Sequence, residues 1–456
     1  VGKTGLEKSF EEQLIGVNGV ERYEVNAYGK RIKQIDHKEG VSGTKIKLTI
    51  DTEVQKLSNK LLEGTAGSIS VMDIYTGEII AMQSSPSFDP NLFLFGISHD
   101  DWQLIRNNPL KPLVNKTIAG LYSPGSTLKP IVAFSALENK IINENFKVNC
   151  TGKMEMYGET YHCWKKKGHG VVNLKEAMKQ SCDTYFYEIT RKLGVDRLKK
   201  TAIKFGLGDK VLNEVFSNEK KGLFPDTQWK KNKLGKGWVI GETLITGIGQ
   251  GYTQTTPLQL CLMIAQFANG GYKIYPKITV NENDETYEDV KAFIEKNYEN
   301  SLNLNQNKNT KNRELFSFLK DTRHEPLYNN PKNIKIIQEA MFASTNEVRG
   351  TSYSSRIEDP KYKFAGKTGT SQVKRITAKQ RELDLKTIDI PYNDRDHALY
   401  VAFGPYKKPR YALSVVIEHG GSGSSTAAPL AKKLFKLIID RHEAREKIRT
   451  KNLVKI

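Results

Sequence analysis

From about residue 47 onward, apolar and polar residues alternate in a pattern that predicts β-strands near both ends of the chain. The first two strands form a hairpin at about residues 67–83, with Thr76 and Gly77 as its turn. Further strands are predicted near residues 362–373, 397–405 and 411–419. The intervening region, about residues 127–265, is predicted to be helical. This order predicts an α/β (α+β) fold in which helices sandwich an antiparallel sheet.

Helices are also predicted at the two ends of the chain. The last one begins near Thr426, and four apolar residues share one of its faces: Leu430, Leu434, Leu437 and Ile438. Residues 5–14 have the pattern of a short amphipathic helix, and polar, glycine-punctuated strands follow it. We therefore place a domain boundary near residue 46, with one large domain at residues 47–456 after it.

Two segments of the large domain are predominantly polar. Residues 281–335 have Asn and Gln at their centre, and we interpret them as a surface insert that is partly disordered. Residues 374–396 form a long charged loop after a predicted strand. This loop either covers the mouth of a site or is simply solvated.

Composition narrows the classes of function. The 456 residues are 38% hydrophobic, enough for a substantial core, and their formal net charge is +19. We find no nucleic-acid recognition motif, no zinc-finger spacing and no interleaving of aromatic and basic residues, so we expect no nucleic acid as partner. The charge indicates a solvated surface or attraction to an anionic membrane or cell-wall polymer. We interpret one basic group as a solvated loop: Lys230, Lys231, Lys233 and Lys236.

The ends of the chain bear on its location. No stretch approaches the roughly 18 apolar residues of a membrane-spanning helix, and no signal peptide is evident. The chain opens with Val1 in a segment that has the pattern of a domain interior. We therefore expect a fragment that lacks its N-terminal anchor.

Three short motifs carry the candidate chemistry. In chain order they are Ser126-Thr127-Leu128-Lys129, Ser181-Cys182-Asp183 and Lys367-Thr368-Gly369-Thr370. Each motif alone is weak, since Ser-x-x-Lys recurs at Ser217 and Ser317, and Lys-Thr-Gly recurs at Lys3. Local context separates them, because a Pro-Gly turn precedes Ser126 and a predicted buried helix, with Pro130 in its first turn, follows.

The residue types of these motifs fit nucleophilic catalysis. A serine hydroxyl becomes a good nucleophile when a base takes its proton. Lys129 shares a helix face with Ser126 and can be that base if burial or a nearby positive charge lowers its pKa. Lys367 would supply such a charge, and the glycines around it leave room for a peptide along the strand edge. A phosphate loop is disfavoured, because Lys361 stands where that motif needs glycine.

A second group of residues indicates a metal site. Cys150, Cys163, His169 and Cys182 supply three thiolates and one imidazole, a complete tetrahedral set for zinc. Such a zinc ion would be structural and would fasten the loop after the nucleophile helix to the second motif. The alternatives are a Cys150–Cys163 disulfide or unlinked thiols, and His162 is an alternative to His169.

The chain resembles the penicillin-binding proteins, and among them the penicillin-binding protein 2 family of elongation-specific class B transpeptidases. Besides the three motifs, the resemblance is carried by residues 48–55 (LTIDTEVQ), 71–82 (VMDIYTGEIIAM), 247–252 (GIGQGY), 255–259 (TTPLQ) and 397–403 (HALYVAF). It covers nearly the whole chain from about residue 45, and residues 281–335 are its least familiar part. The resemblance implies the fold shared by penicillin-binding proteins and serine β-lactamases, with residues 1–46 as the remnant of a non-catalytic pedestal domain.

The resemblance implies a peptidoglycan D,D-transpeptidase that cross-links stem peptides during cell-wall elongation. Ser126 would attack the D-Ala-D-Ala carbonyl, Lys129 would be the general base, and Ser181 would relay protons. The terminal carboxylate would be held by the third motif: Lys367 with the hydroxyls of Thr368 and Thr370, beside Gly369. Penicillins would mimic D-Ala-D-Ala and acylate the nucleophile.

Two further points concern the implied substrate contacts. The backbone N–H groups of Ser126 and Thr370 would form the oxyanion hole. Asp183 stands where most members of the wider superfamily have asparagine, although aspartate looks usual for the penicillin-binding protein 2 branch. Because a carboxylate donates a hydrogen bond only when protonated, an amide-like contact from this position to substrate is in doubt.

The resemblance also implies partners and a location. The partners would be peptidoglycan stem peptides, β-lactams, a SEDS-type glycosyltransferase and other proteins of the elongation complex, with the membrane reached through the missing anchor. The catalytic domain would lie in the periplasm at the bacterial inner membrane. Two other functions remain as alternatives: a serine β-lactamase, and a non-catalytic β-lactam sensor or scaffold.

Overall fold

A computed structural model shows the chain folded around a five-stranded antiparallel sheet. It describes residues 2–212, 215–281, 284–306, 324–374, 387–445 and 447. The strands are β1 (Val20–Val25), β2 (Arg31–Lys38), β3 (Gly67–Asp73), β4 (Ile79–Ser85), β5 (Val148–Cys150), β6 (Lys153–Met156), β7 (Glu159–His162), β8 (Gly170–Val172), β9 (Ala365–Ser371), β10 (His397–Gly404) and β11 (Tyr411–Ile417).

Helices precede, follow and separate these strands. They are α1 (Gly5–Ser9), α2 (Glu11–Leu14), α3 (Thr52–Leu61), α4 (His99–Arg106), α5 (Lys116–Ala119), α6 (Lys129–Glu138), α7 (Leu174–Lys179), α8 (Asp183–Leu193), α9 (Val195–Lys204), α10 (Thr227–Leu234), α11 (Ile240–Gly247), α12 (Pro257–Ala268), α13 (Tyr287–Gln306), α14 (Pro331–Asn346) and α15 (Ala428–Asp440). Short 3-10 turns are found at Pro90–Phe93, Gly125–Leu128, Tyr353–Ser355, Thr387–Asp389 and Tyr392–Asp394, and a π-turn at Gly423–Ala427 precedes α15.

The central sheet has the strand order β4-β3-β11-β10-β9. Each neighbouring pair is antiparallel, so that Lys367 of β9 lies opposite Val401 of β10 and Leu413 of β11 opposite Val71 of β3. β9 is the last strand of this sheet in the described part of the chain, and its outer edge is therefore available to another chain.

Both faces of the sheet are buried. Successive side chains of a strand point to opposite faces, and in β10 Ala398, Tyr400 and Ala402 enter one core while Leu399 and Val401 enter the other. Helices α3 and α15 pack on the first face, and α6, α12 and α14 contribute to the second. A strand that is buried on both faces reads as a continuous apolar run, which explains the sequence of β10.

The helices behind the candidate site are apolar all round. Every residue of α12 is buried, Cys261 included. Nine residues of α6 are buried as well, among them Lys129. A helix of this kind needs protein on all sides, and this packing fixes the position of the turn that precedes α6.

The predicted fold class is confirmed, as are the hairpin β3–β4 and the three late strands. Three details are wrong. The region 127–265 also contains the short strands β5 to β8, whose polar three- and four-residue sequences are too short to show a period. The strand predicted from residue 362 begins at Ala365, and the helix predicted at 5–14 is divided at Phe10.

Two polar segments are more buried than predicted. Val290 and Ile294 of α13, inside the predicted insert, are buried in the core, while residues 307–323 lie outside the described residues. Three lysines of the predicted basic loop (Lys230, Lys231 and Lys233) lie in helix α10, and Lys230 is buried in an ion pair with Glu242. The apolar residues of α13 are too sparse in a polar sequence to predict its burial, and the ion pair of Lys230 is a tertiary contact that the sequence pattern does not show.

None of the helices in the described part of the chain combines the length and the apolar character that a membrane crossing requires.

Candidate active site

Ser126 lies in the tight turn that opens α6. The 3-10 turn at Gly125–Leu128 leads directly into Lys129, and residues i and i+3 of such a turn lie on the same side. Gly125 has a φ of 53°, and a Cβ atom there would lie 2.4 Å from the carbonyl oxygen of Thr370. Because glycine alone permits this approach, the nucleophile turn lies directly against β9.

Ser181 lies in the turn between α7 and α8. Its φ of 55° is in the left-handed region, which residues with side chains rarely adopt. Cys182 and Asp183 follow immediately, α8 begins at Asp183, and all three residues are buried. Backbone strain of this kind, about 1–3 kcal/mol, is concentrated at functional sites.

The third motif occupies β9. Lys367 is completely buried, and the hydroxyl of Thr368 donates a hydrogen bond to Thr351 Oγ1 at 2.8 Å. The neighbouring glycines do not leave space for a ligand as predicted. A Cβ atom at Gly366 would meet the Tyr400 hydroxyl at 2.2 Å, and one at Gly369 would meet atoms of the nucleophile turn. The glycines admit the protein's own side chains, and only the outer edge of β9 remains for a peptide.

The three motifs meet at the hydroxyl of Ser181. Lys129 Nζ donates to Ser181 Oγ at 3.1 Å, to the Ser181 carbonyl oxygen at 2.9 Å and to Asp183 Oδ1 at 2.7 Å. Lys367 Nζ donates to the same Ser181 Oγ at 2.9 Å and to the Thr368 carbonyl oxygen at 3.1 Å. Among the described residues, the hydrogen bonds of Lys129 go to the second motif and not to Ser126.

The two lysines that contact Ser181 differ in their electrostatic surroundings. Lys129 and Asp183 form a buried ion pair. Lys367 is fully buried, and burial, followed by the positive charge of Lys129, holds the pKa of Lys367 well below its usual value. Burial and the neighbouring charge thus both disfavour the protonated form of Lys367.

Asp183 contacts two donors of the protein. Besides Lys129, the backbone N–H of Trp164 donates to Asp183 Oδ2 at 2.9 Å. The indole N–H of Trp164 also donates to the carbonyl oxygen of Ser181 at 3.1 Å, although the residue is 58% exposed. An acceptor-only carboxylate suits this position, since both partners are donors. Sequence reasoning missed Trp164, which no spacing rule connects to the second motif.

The predicted metal ligands also come together. The Nδ1 atom of His169 lies 3.5 Å from Cys150 Sγ and 3.6 Å from Cys163 Sγ. With Cys182 Sγ, the four ligand atoms lie within 4.8 Å of one another. The sequence left His162 as an alternative, but the structure brings His169 to the thiols and leaves His162 exposed.

The groups of the metal-ligand set shift one another's pKa values. A hydrogen bond from the Cys182 thiol lowers the pKa of Cys163 and raises that of Cys182. Burial opposes protonation of His169, but hydrogen bonds with Cys163 and Cys150 raise the pKa of this imidazole. Three sulfur atoms and one imidazole nitrogen, close together and largely buried, are the type of ligand set that holds structural zinc.

The loop after α11 borders the site next to Ser126. Gly125 N donates to the carbonyl oxygen of Gly249 at 2.8 Å, and Gln250 Nε2 donates to the carbonyl oxygen of Thr370 at 2.9 Å. The loop thus connects the nucleophile turn to the third motif. Residues 247–252 were noted in the sequence only because they resemble a segment of a known family. Nothing in their residue pattern predicted that they lie at the site.

Two family models match the chain. The model described as the penicillin-binding protein transpeptidase domain matches residues 67–436, and that of the penicillin-binding protein dimerisation domain matches residues 1–48. The chain therefore belongs to the penicillin-binding protein transpeptidase family. Within this family it is similar to penicillin-binding protein 2, which confirms the predicted resemblance.

The similarity extends along nearly the whole chain. Peptidoglycan D,D-transpeptidase MrdA of Acinetobacter baumannii is 35% identical over 95% of this chain and 60% of that protein, and the Escherichia coli MrdA is 33% identical over 96% and 64%. Penicillin-binding protein 2 of Helicobacter pylori, solved with MreC, gives a TM-score of 0.78 at 31% identity over 97% of this chain and 73% of that one. The Pseudomonas aeruginosa protein, solved with WCK 5153, gives 0.75 at 32% over 96% and 83%. The chain thus spans about three fifths of the length of the curated relatives.

We predict that Gly249→Ala will impair the site more than the fold. A Cβ atom at Gly249 would lie 2.1 Å from the Gly125 carbonyl oxygen and push the nucleophile turn away. Gly251→Ala is the matched control, since its φ is equally positive but its nearest contact is the flexible side chain of Ile245 at 3.3 Å. We expect labelling by a fluorescent penicillin to fall at least about tenfold in Gly249→Ala only, equivalent to about 1.4 kcal/mol. Equal losses in the two variants would contradict this account.

We predict that acid destabilises the chain through His397. Burial lowers the pKa of His397 to about 4, and its Nδ1 accepts the backbone N–H of His419 at 3.0 Å. The folded-state pKa lies below the ordinary histidine pKa of 6.5, so the stability that the neutral ring contributes is complete above pH 6.5 and is lost as the pH falls toward 4. The difference between the melting temperatures at pH 7.5 and at pH 5 should therefore be smaller in His397→Asn than in the native chain. The side-chain oxygen of asparagine can still accept the backbone N–H of His419. An exposed control, His37→Asn, should show the native difference, and a native-like difference in His397→Asn would exclude His397 as the cause.

Proposed function

We propose that the chain is the catalytic part of a peptidoglycan D,D-transpeptidase that acts during cell-wall elongation. The observation that carries this proposal is the convergence of two buried lysines on Ser181 Oγ, next to the Ser126 turn and the open edge of β9. The curated relatives bear this activity in their names.

The first half-reaction would form an acyl-enzyme. Ser126 Oγ attacks the carbonyl of a D-Ala-D-Ala stem peptide, and the terminal D-Ala leaves with a proton on its amine. Lys129, with its amine neutral, takes the Ser126 proton and then gives it to the amine of the departing D-Ala, and Ser181 Oγ connects Lys129 to Lys367. Asp183 keeps the remaining positive charge on Lys129 compensated.

The substrate would lie along the edge of β9 as an added strand. Lys367 and the hydroxyls of Thr368 and Thr370 face the terminal carboxylate in this proposal. The backbone N–H groups of Ser126 and Thr370 stabilise the oxyanion that forms during attack. Gly125 supports this assignment, because its close approach to Thr370 brings the nucleophile turn and β9 into backbone contact.

In the second half-reaction, an amine of a neighbouring stem peptide attacks the acyl-enzyme. The amine loses its proton through the same relay, Ser126 Oγ regains one, and a peptide cross-link is formed. β-Lactams would acylate Ser126 and remain attached. A serine β-lactamase would hydrolyse this adduct quickly, and a non-catalytic sensor or scaffold would form it but transfer nothing to an amine.

We also infer an elongation complex as the setting. The relative of Helicobacter pylori was solved with MreC, and a neighbour with 27% identity and a TM-score of 0.75 comes from a study of a peptidoglycan synthase complex. By analogy, the partners of this chain would be a SEDS-type glycosyltransferase and other elongation proteins. The catalytic domain would work in the periplasm, attached to the inner membrane by an anchor upstream of residue 1.

We predict a single stable penicillin adduct on the native chain by intact-mass spectrometry. Ser126→Ala should lose the adduct completely, because no other hydroxyl occupies the nucleophile position. Ser217→Ala is the matched control, since it removes the serine of another Ser-x-x-Lys sequence and should keep the adduct.

The other outcomes of this experiment are equally clear. An adduct that disappears within minutes would indicate a β-lactamase. A stable adduct without release of D-Ala or transfer to an amine from a stem-peptide substrate would favour the sensor. No adduct on folded protein would overturn the proposal.

We propose further that Cys150, Cys163, His169 and Cys182 hold a structural zinc ion. Zinc–sulfur and zinc–nitrogen bonds of about 2.3 and 2.0 Å at tetrahedral angles separate sulfur and nitrogen ligands by about 3.5 Å. The observed distances of 3.5 and 3.6 Å fit this value. Zinc would fix the loop that carries Trp164 and the second motif, and it would take no part in proton transfer.

We predict about one zinc per chain by elemental analysis. Cys150→Ser should lower both the zinc content and the melting temperature by several degrees, because it removes a ligand. Cys261→Ser is the matched control, since Cys261 is a buried cysteine outside the cluster. A zinc-free native chain with four reactive thiols, or one lighter by two hydrogens from a Cys150–Cys163 disulfide, would exclude zinc.

A further inference from the structure

An aromatic surface borders the candidate active site. The rings of Trp229, in α10, and Tyr252 lie 5.1 Å apart at an angle of 57°. Tyr252 is 38% exposed, and the neighbouring Ile245, near the end of α11, is 37% exposed. We call Trp229, Tyr252 and Ile245 the aromatic wall.

The aromatic wall is continuous with the catalytic cleft. Gln250, whose side chain is bonded to the carbonyl oxygen of Thr370, precedes Tyr252 by two residues. Two residues of extended chain span at most about 7 Å. The backbone of Tyr252 therefore lies within about 7 Å of that of Gln250, whose side chain contacts the end of β9.

The surface beside the aromatic wall is positively charged. Lys231, Lys233 and Lys236 are exposed, and no ion pair involves them among the residues that the structure describes. The nearby carboxylates of α10 and α11 are already engaged, since Asp226 pairs with Lys199 and Glu242 pairs with Lys230. The lysines of this surface are thus available to an anionic ligand.

We propose that the aromatic wall binds the sugar backbone of the peptidoglycan strand whose stem peptide enters the cleft. This inference rests on the proposed function, and it assigns the polysaccharide part of the same substrate. Pyranose rings present flat C–H faces that pack on aromatic rings, while their hydroxyl and amide groups stay in water. A tyrosine or tryptophan with an apolar body and a polar end suits such a ligand.

The geometry of the substrate favours sugar over other occupants. A stem peptide is covalently attached to its sugar and spans about 3.3–3.6 Å per residue when extended. A few residues of stem therefore carry the sugar from the end of β9 to the aromatic wall. The adjacent lysines face the carboxylates of neighbouring stem peptides, which makes the binding sensitive to salt.

The first experiment compares two donors that differ only in their sugar. Release of D-Ala is measured from a D-Ala-D-Ala stem peptide, alone or attached to its N-acetylated disaccharide. We expect the native chain to use the sugar-linked donor about tenfold better in kcat/KM, equivalent to about 1.4 kcal/mol. This ratio should approach one in Trp229→Ala and in Tyr252→Ala. Because both donors are measured on the same variant, a general loss of activity lowers both kcat/KM values and leaves their ratio unchanged.

Two further variants sharpen the result. Tyr157→Ala removes an aromatic ring that is 85% exposed on the turn between β6 and β7 and does not belong to the aromatic wall, and it should keep the native ratio. Lys231→Ala combined with Lys233→Ala should reduce the salt dependence of the sugar-linked reaction. A native ratio near one, or an unchanged ratio in both aromatic variants, would overturn the proposal.

The second experiment measures binding without catalysis. Peptide-free N-acetylated glycan oligomers should change the tryptophan fluorescence of the native chain and bind about tenfold more weakly to Tyr252→Ala. Vesicles of anionic phospholipid are the alternative ligand, and binding of vesicles without glycan would reassign the surface to the membrane and overturn the proposal. A chain that binds glycan but forms no penicillin adduct would retain this inference and refute the transpeptidase activity instead.

Discussion

The burial of two lysine side chains against one hydroxyl is the constraint on which the site depends. Lys129 and Lys367 are both without solvent exposure, and both donate to Ser181 Oγ. A buried ammonium is costly unless a counter-charge accompanies it. Asp183 is the counter-ion of Lys129, so a second full charge at Lys367 would be unfavourable.

The scaffold keeps these groups in place by joining elements that are remote in sequence. The nucleophile turn, the turn before α8 and strand β9 come from three separate parts of the chain. Backbone contacts between Gly125 and both Gly249 and Thr370 leave no space for displacement. The helices behind them are buried on all sides, whereas β9 is the edge strand of the sheet in the described part of the chain.

Sequence reasoning was informative where a physical requirement is local. The order of the three motifs, the hairpin β3–β4 and the cysteine–histidine set all follow from residue types and short spacings. It failed where the determinant is a tertiary contact. Trp164 reaches Asp183 through its backbone N–H, which no side-chain pattern reveals. Val290 and Ile294 are isolated apolar residues in a polar segment, and only the fold shows that they are buried. The glycines around Lys367 were expected to leave room for a peptide, but at Gly366 the nearest group is the hydroxyl of Tyr400.

The second motif explains why a metal-ligating residue would lie inside a catalytic sequence. Ser181 has a left-handed backbone, which costs about 1–3 kcal/mol and persists only where the surroundings enforce it. Cys182 lies between Ser181 and Asp183, and its thiol belongs to the buried cluster. The same cluster includes Cys163, whose successor Trp164 donates to both the carboxylate and the carbonyl oxygen of the motif. Ligation of these cysteines would thus fix the strained turn from both sides, without any contact with the reacting atoms.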